Sequence, residues 1–498
     1  MLVPAQDRAK RKFPEESHAA DIGVVLPKCR HPWYLRSVVP PARTSICYRV
    51  EQREMKAEGG PNPGRWMMAA KSRYLWPALV PMFLVTLSAP ALAMPNFARR
   101  SGTACEGCHT TIPRLNETGF QYRKAGFRMP GDIGKDAGTS FKDTFAGRIQ
   151  ARADYKHRKD ASPATTTTTT SKQLTLLEVT LYPVSSAFGS HYASLVELSI
   201  LNEDFVEIEN AYFRYVRGTE HSFLSGRAGI MHPFEGYGAS DRPYSLSRPF
   251  IQTTAANQSG STFFTTWNFD EAGLELAYCH DRTSISGTVF NGLVLKNNDG
   301  VFKAFQAAGG DLQKPTTGFK SKDSKDVQVF LNQILKEDGS GISLYYYHGA
   351  MDLPKVSSLP PANFVPDSSF ANKFDRGAAY ADWSIHQKLN VQGAYQVGRD
   401  HLYDVATGSS SGTFKSQGWF GEVDAPLSEY VTLGARYDMF DPSKDKSDNS
   451  KTGLTVFGNM PLNDGLQGIA EFQHIQTQRA GKDDLKDDNF QLRMIWIW

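Results

Sequence analysis

From Phe145 the chain alternates. Phe145, Gly147, Ile149, Ala151, Ala153 and Tyr155 are apolar or small, while Arg148, Gln150, Arg152, Asp154 and Lys156 between them are polar. A period of two marks a strand with one face in each of two environments. The same register returns in Leu177, Val179 and Leu181 against Glu178 and Thr180, and in Leu274, Leu276 and Tyr278 against Glu275, Ala277 and Cys279. It recurs in Leu389 to Val397 and again in Val431 to Met439. The last residues, Phe490 to Trp498, put Phe490, Leu492, Met494, Trp496 and Trp498 on one face, a row too apolar for an exposed soluble edge.

The connections between these runs alternate in length. Long polar links are expected around 158–172, 233–270, 296–325, 350–374, 399–415, 441–451 and 476–488, with a short one at 202–205. Tight turns are expected near Ser185-Ser186, Gly218-Thr219, Asp281, Gly339-Ser340, His386-Gln387, Pro426-Leu427 and Asn463-Asp464. Eight long-side links and seven turns predict an all-β fold, an antiparallel transmembrane β-barrel of about sixteen strands over 143–498. An open sheet in lipid would leave backbone groups unpaired, so the strands must close on themselves. The run Thr165 to Thr170 reads as a solvated loop tip.

Composition agrees with this pattern. Hydrophobic residues are 40% of 498, too few for a bundle of apolar helices, but a barrel strand spends only half its side chains on lipid. A formal charge of +3 gives no basis for nucleic-acid binding. Three of five cysteines, Cys29, Cys47 and Cys279, stand alone, which is no disulfide framework.

Residues 67–93 read as a secretory signal: Lys71 and Arg73, then an apolar stretch from Leu75 to Leu87 broken by Pro77 and Pro81, then Ala91-Leu92-Ala93. Residues 1–66 are then expected to be an upstream extension outside the translated protein, with Met67 or Met68 as the start and Met94 as the mature N-terminus.

Directly behind comes Cys105-Glu106-Gly107-Cys108-His109, the C-x-x-C-H pattern of c-type haem attachment. Two thiols at this spacing reach the two vinyl groups, and the adjacent imidazole meets the iron from the proximal side. A structural zinc would need four ligands, and no second Cys/His pair lies nearby. The expectation is one haem c on Cys105, Cys108 and His109 in a leader over 94–142, with Met129 as candidate distal ligand. Arg99, Arg100, Arg114, Arg123, Lys124 and Arg128 make the leader basic, suited to haem propionates or to a polar lumen. Glycines at 119, 126, 131 and 134 predict little helix there, and under about 50 residues form too small a core to stand alone.

Pro95-Asn96-Phe97-Ala98-Arg99, the C-x-x-C-H, then Thr111-Ile112-Pro113-Arg114-Leu115 and Gly119, resemble the start of the fused outer-membrane cytochrome-porin family. The wording from Gly119 to Phe127 departs from the family's usual form. The resemblance implies an iron-oxidase-like protein of the bacterial outer membrane, with the haem-binding roles on Cys105, Cys108 and His109. Its expected partners are an extracellular donor such as Fe(II), a periplasmic c-type cytochrome and outer-membrane lipid. A single haem serving both compartments belongs inside the barrel, plugging the lumen, because the apolar band is about 25 Å tall. Current in the outward direction, or a passive porin with a structural haem plug, are the alternatives.

Overall fold

The structure, a computed structural model, describes residues 95–138, 144–161, 166–201, 205–232, 245–253, 256–258, 261–263, 271–291, 325–355, 365–385, 388–404, 409–428, 430–444, 447–463 and 465–498. The expected upstream extension (1–66), the signal (67–93) and the boundary between leader and barrel near 142 lie outside the described residues.

The leader consists of α1 (Pro95–Ser101), a 3-10 turn at Cys105–Gly107, the two short strands β1 (His109–Thr111) and β2 (Arg114–Leu115), α2 (Glu117–Lys124) and a 3-10 turn at Pro130–Asp132. Sixteen antiparallel strands follow in a closed ring. They are β3 (Ala146–Ala161), β4 (Thr166–Phe188), β5 (Tyr192–Leu201), β6 (Phe205–Gly218) and β7 (Ser222–Met231), then β10 (Glu271–His280), β11 (Thr283–Phe290), β12 (Asp326–Ile334), β13 (Gly341–Lys355) and β14 (Val365–Ile385). The ring continues through β15 (Leu389–Asp404), β16 (Ser409–Ser428), β17 (Val431–Asp441), β18 (Lys451–Asn463), β19 (Leu466–Arg479) and β20 (Lys482–Ile497), which pairs with β3. The connection from β7 to β10 carries α3 (Phe250–Thr253) and the small hairpin of β8 (Ala256–Gln258) and β9 (Ser261–Phe263).

The alternation read in the sequence is plainest in β10, β11 and β12. On β10, Leu274 and Leu276 are 64% and 63% exposed while Glu275 and Cys279 between and beyond them are buried. Tyr346, Tyr395, Val397, Leu433, Leu454, Phe472 and Trp496 are exposed in the same way on other strands. The polar residues of the opposite row, Arg227, Arg376, Asp400, Arg436 and Asp438, are buried in the interior. An apolar outside around a polar inside inverts a soluble protein and suits a lipid surround.

Closure joins the two ends of the sheet. Gly147 N donates to Trp498 O at 3.1 Å and Trp498 N to Gly147 O at 3.0 Å. Gly147 is required at this seam, since a Cβ there would stand 2.1 Å from the Trp498 ring. An even strand count leaves both ends of the barrel at the mouth formed by the short turns.

Three sequence expectations change. The first tight turn is at 189–191, not at Ser185-Ser186; both serines are buried inside β4, where Ser185 accepts from the leader. Thr166 to Thr170 are strand rather than loop tip, paired with 157–161 of β3, because a hairpin can continue its ladder into water once the backbone pairing is established. Similarly the links at 399–415 and 476–488 shrink, as β15, β16, β19 and β20 run well into them.

Candidate functional site

The leader packs against the inner wall at the mouth formed by the short turns. Asn96 Nδ2 in α1 donates to Ser185 Oγ at 2.5 Å and Ser185 O at 3.3 Å. Arg114 enters the wall between β14 and β15: Nε donates to Asp382 Oδ2 at 3.0 Å, Nη2 pairs with Oδ1 at 2.8 Å, and Nη1 donates to Asn390 Oδ1 at 2.9 Å. Both side chains of this bidentate pair are 1% exposed.

The helix α2 forms despite Gly119, because its ends are satisfied from outside. At its start Asn116 Oδ1 accepts from Gly119 N at 2.9 Å, an N-cap. At its end the carbonyls of Arg123 and Lys124 accept from Arg214 Nη1 of β6 at 2.6 and 3.1 Å. Glu117 takes Arg282 of the β10–β11 turn at 2.7 Å, and Thr110 Oγ1 donates to Asp338 O of the β12–β13 turn at 2.8 Å. Further along, Arg128 Nη2 donates to the carbonyls of Phe188, Gly189 and Tyr192 at the β4–β5 turn. The barrel thus supplies the support that so short a segment lacks.

The same helix shapes the C-x-x-C-H loop. Asn116 Nδ2 donates to the carbonyls of Glu106 and Gly107 at 3.2 Å each, and Asn116 N to Cys108 O at 2.9 Å. The Cys108 carbonyl lies so close to Gly119 that a Cβ there would stand 2.1 Å from the oxygen. Only glycine allows this approach.

Cys105 opens the 3-10 turn, and its side chain lies outside the described residues. Cys108 is half-buried. The Pro113 carbonyl accepts from His109 Nδ1 at 3.2 Å, so that nitrogen carries the proton and Nε2 keeps its lone pair. Burial pushes the His109 pKa below its ordinary value, against the backbone of Pro113 and Arg114 and the charge of Glu106, which pull it up. A neutral imidazole oriented by a backbone carbonyl is what an iron ligand requires.

Cys108 and His109 open onto a cavity of about 410 Å³ between the leader and the wall of β3, β4, β19 and β20, within the size range of cofactor sites. Its leader side is apolar, with Phe97, Ile112, Pro113, Leu115, Phe120 and Phe127. Burial raises the Tyr122 phenol above its ordinary pKa, and its buried hydroxyl has no hydrogen-bond partner among the described residues. The other side carries mixed charge, with Arg148, Arg248 and Arg493 beside Glu178, Glu197 and Glu209. An apolar face opposite arginines, beside Cys108 and His109, fits a flat macrocycle bearing carboxylates. The residues present fit haem c.

Met129 is held elsewhere. It caps the 3-10 turn at Pro130–Asp132 and packs with Phe97 onto the cluster of Tyr122, Phe127, Ala187 and Ala193, and it is not among the residues lining the cavity. Among the described residues no group of three or more His, Cys, Asp or Glu is arranged to hold a metal ion. Cys279 packs with Ala125, Val216 and Phe223 under the leader.

Sequence reasoning missed two parts of this site. Of the leader cations Arg123 lines the cavity, whereas Arg114 and Arg128 are engaged in anchoring, and the arginines of the far wall come from β3, β20 and the β7–β10 connection. That connection also folds inward: Glu471 accepts from Leu246 N at 2.7 Å and Ser247 N at 3.0 Å, Asp438 from Phe250 N at 3.1 Å, and Arg436 donates to Ser247 O at 2.8 Å. The signal available in the sequence was Arg493, the one charged residue between Phe490 and Trp498.

No family profile and no curated protein matches this sequence. Among solved structures the chain is similar to the outer membrane channel DcaP of Acinetobacter baumannii, at 9% identity and TM-score 0.48, over 72% of this chain and 99% of that one. It is similar also to an anion-selective porin from Comamonas acidovorans, at 10% identity and TM-score 0.46, over 71% and 99%. A third is OprB of Pseudomonas putida, at 9% identity and TM-score 0.40, over 71% and 94%.

Proposed function

We propose that this chain is a bacterial outer-membrane barrel whose leader carries one haem c on Cys105, Cys108 and His109, and that it passes electrons from an extracellular donor, Fe(II) in the first instance, to a periplasmic c-type cytochrome. Its activity is then that of an Fe(II):cytochrome c oxidoreductase. The outward apolar belt supports the membrane part of this reading. The observation that carries the electron-transfer part is the meeting of Cys108, His109 and an amphipathic cavity inside a closed barrel.

When bound, the haem supplies a one-electron centre. The chain's own residues do the rest. His109, oriented by its bond to the Pro113 carbonyl, would hold the iron through Nε2. Arg114 and Arg128 fix the leader to the wall so that the site does not shift against the barrel. Closed strands separate the compartments and keep insoluble ferric product outside.

Stopped-flow mixing of the purified barrel with Fe(II) tests the reading. Reduction of a covalently bound haem in the wild type, abolished in His109→Ala, is the expected result. A protein that carries haem but is not reduced by Fe(II), and is instead oxidised rapidly by an extracellular acceptor, reverses the direction. Absence of covalent haem together with a large open conductance in planar bilayers would establish a passive porin instead.

A further inference from the structure

The cavity beside Cys108 has two chemically different ends, and β20 shows the gradient along one lumen-facing row. Ile497 and Ile495 line the cavity next to the short-turn mouth, and Arg493 lines it two residues deeper in the barrel. From the opposite end the β7–β10 connection brings Arg248 to the same space. The bonds from Leu246 and Ser247 to Glu471, and from Arg436 to Ser247, hold that connection in the lumen.

Three carboxylates also line the cavity, and each already has donors. Glu178 accepts from Gln150 Nε2 at 2.8 Å and from Arg148. Glu197 accepts from Tyr182 Oη at 2.6 Å and Asn210 Nδ2 at 2.9 Å, and Glu209 is hydrogen-bonded to Ser199.

Arg493 differs from the other lumen arginines. Its Nη1 reaches Gln150 Oε1 at 3.4 Å, a long contact, and no carboxylate among the described residues forms an ion pair with it. The neighbouring Arg152 has a carboxylate counter-ion, with Nε 2.6 Å from Asp154 Oδ2. Elsewhere in the lumen Arg376 sits on Asp400 at 2.7 Å, Arg227 on Glu275 at 2.8 Å and Arg436 on Asp438 at 2.8 Å. A guanidinium remains charged in any such setting, so one left without a counter-ion beside a cavity fits an anionic ligand. The forked donor geometry matches a carboxylate.

We propose that Arg493, with Arg248 across the cavity, binds the propionate edge of the haem, turning that edge toward the end with the long connections and the thioether edge toward the short turns. This rests on the haem reading above and deepens it. The barrel wall, not the leader alone, then completes the site, and the carboxylate edge becomes the part of the cofactor nearest an extracellular donor.

The test is resonance Raman spectroscopy of the propionate bending modes, with a redox titration, on full-length protein in detergent. A haemochrome assay on the wild type comes first; if it finds no covalent haem, both this proposal and the functional reading fall. With haem present, Arg493→Gln is expected to shift the propionate band and lower the midpoint potential, because losing a cation favours the more positive ferric state. Arg493→Lys should recover the potential but not the band. Arg152→Gln removes a nearby charge that does not line the cavity, and should leave the band in place. An unshifted band in Arg493→Gln, in barrels that keep their folded migration on unheated gels, overturns the proposal while leaving covalent haem and Fe(II) oxidation standing. An equal shift in Arg152→Gln overturns it as well, since the effect would then be one of general field.

Discussion

Two sides of the same lumen are built from one strand pattern and end in different states. On the side of β14 to β17 the interior is filled: Arg376 meets Asp400, Arg436 meets Asp438, and Tyr380, Phe420 and Phe440 pack between them. On the side of β19, β20, β3 and β4 the wall stands back from the leader, and a cavity remains beside Cys108 and His109. Arg114 ties the leader to the first side, and Asn96 and Arg128 tie it to β4 and the β4–β5 turn at the edge of the cavity.

Loosening the anchor is the strongest way to break this contrast. Arg114→Ala would strand Asp382 in a site 1% exposed, and removing one partner of a buried pair costs about 3–5 kcal/mol. The expected outcome is a leader detached from an intact barrel, seen as protease cleavage before Phe145 with the 16-strand core protected. If the leader of this variant stays protected, Arg114 is not the anchor.

A smaller effect is expected at the helix beneath the C-x-x-C-H loop. Gly119→Ala would press a methyl onto the Cys108 carbonyl, and overpacking of this kind costs about 1–3 kcal/mol. Thermal unfolding followed at the leader should show the loss, while barrel melting stays unchanged. A leader transition at the wild-type temperature would mean that α2 can move away from the loop without penalty.

The smallest change is expected from Asn96→Ala on the cavity side, which removes the bond to Ser185 worth about 1 kcal/mol. Its effect on leader protection should be well below that of Arg114→Ala. Equal effects would show that α1 anchors the plug as much as the filled flank does.

How far the fold was legible follows from the range of the forces involved. The two-residue period, the sixteen strands and the closing aromatic row are local, because each side chain's face is fixed by its neighbours in the strand. The turn expected at Ser185-Ser186 failed for the opposite reason: small polar residues read as a turn, but there they sit inside a strand receiving Asn96 from a segment 89 residues away. The threonine run failed similarly, since nothing in its composition reveals the pairing with β3.

The candidate site divides in the same way. Cys105, Cys108 and His109 have the C-x-x-C-H spacing of covalent haem attachment, so the motif alone nominates them. Which arginines face the cavity depends on the closed ring bringing β20 beside β3 and on the β7–β10 connection turning inward. Local alternation therefore determined which side of the wall each residue occupies and how many strands there are. Only the tertiary structure decided which lumen charges neutralise one another, because that depends on distances between segments hundreds of residues apart.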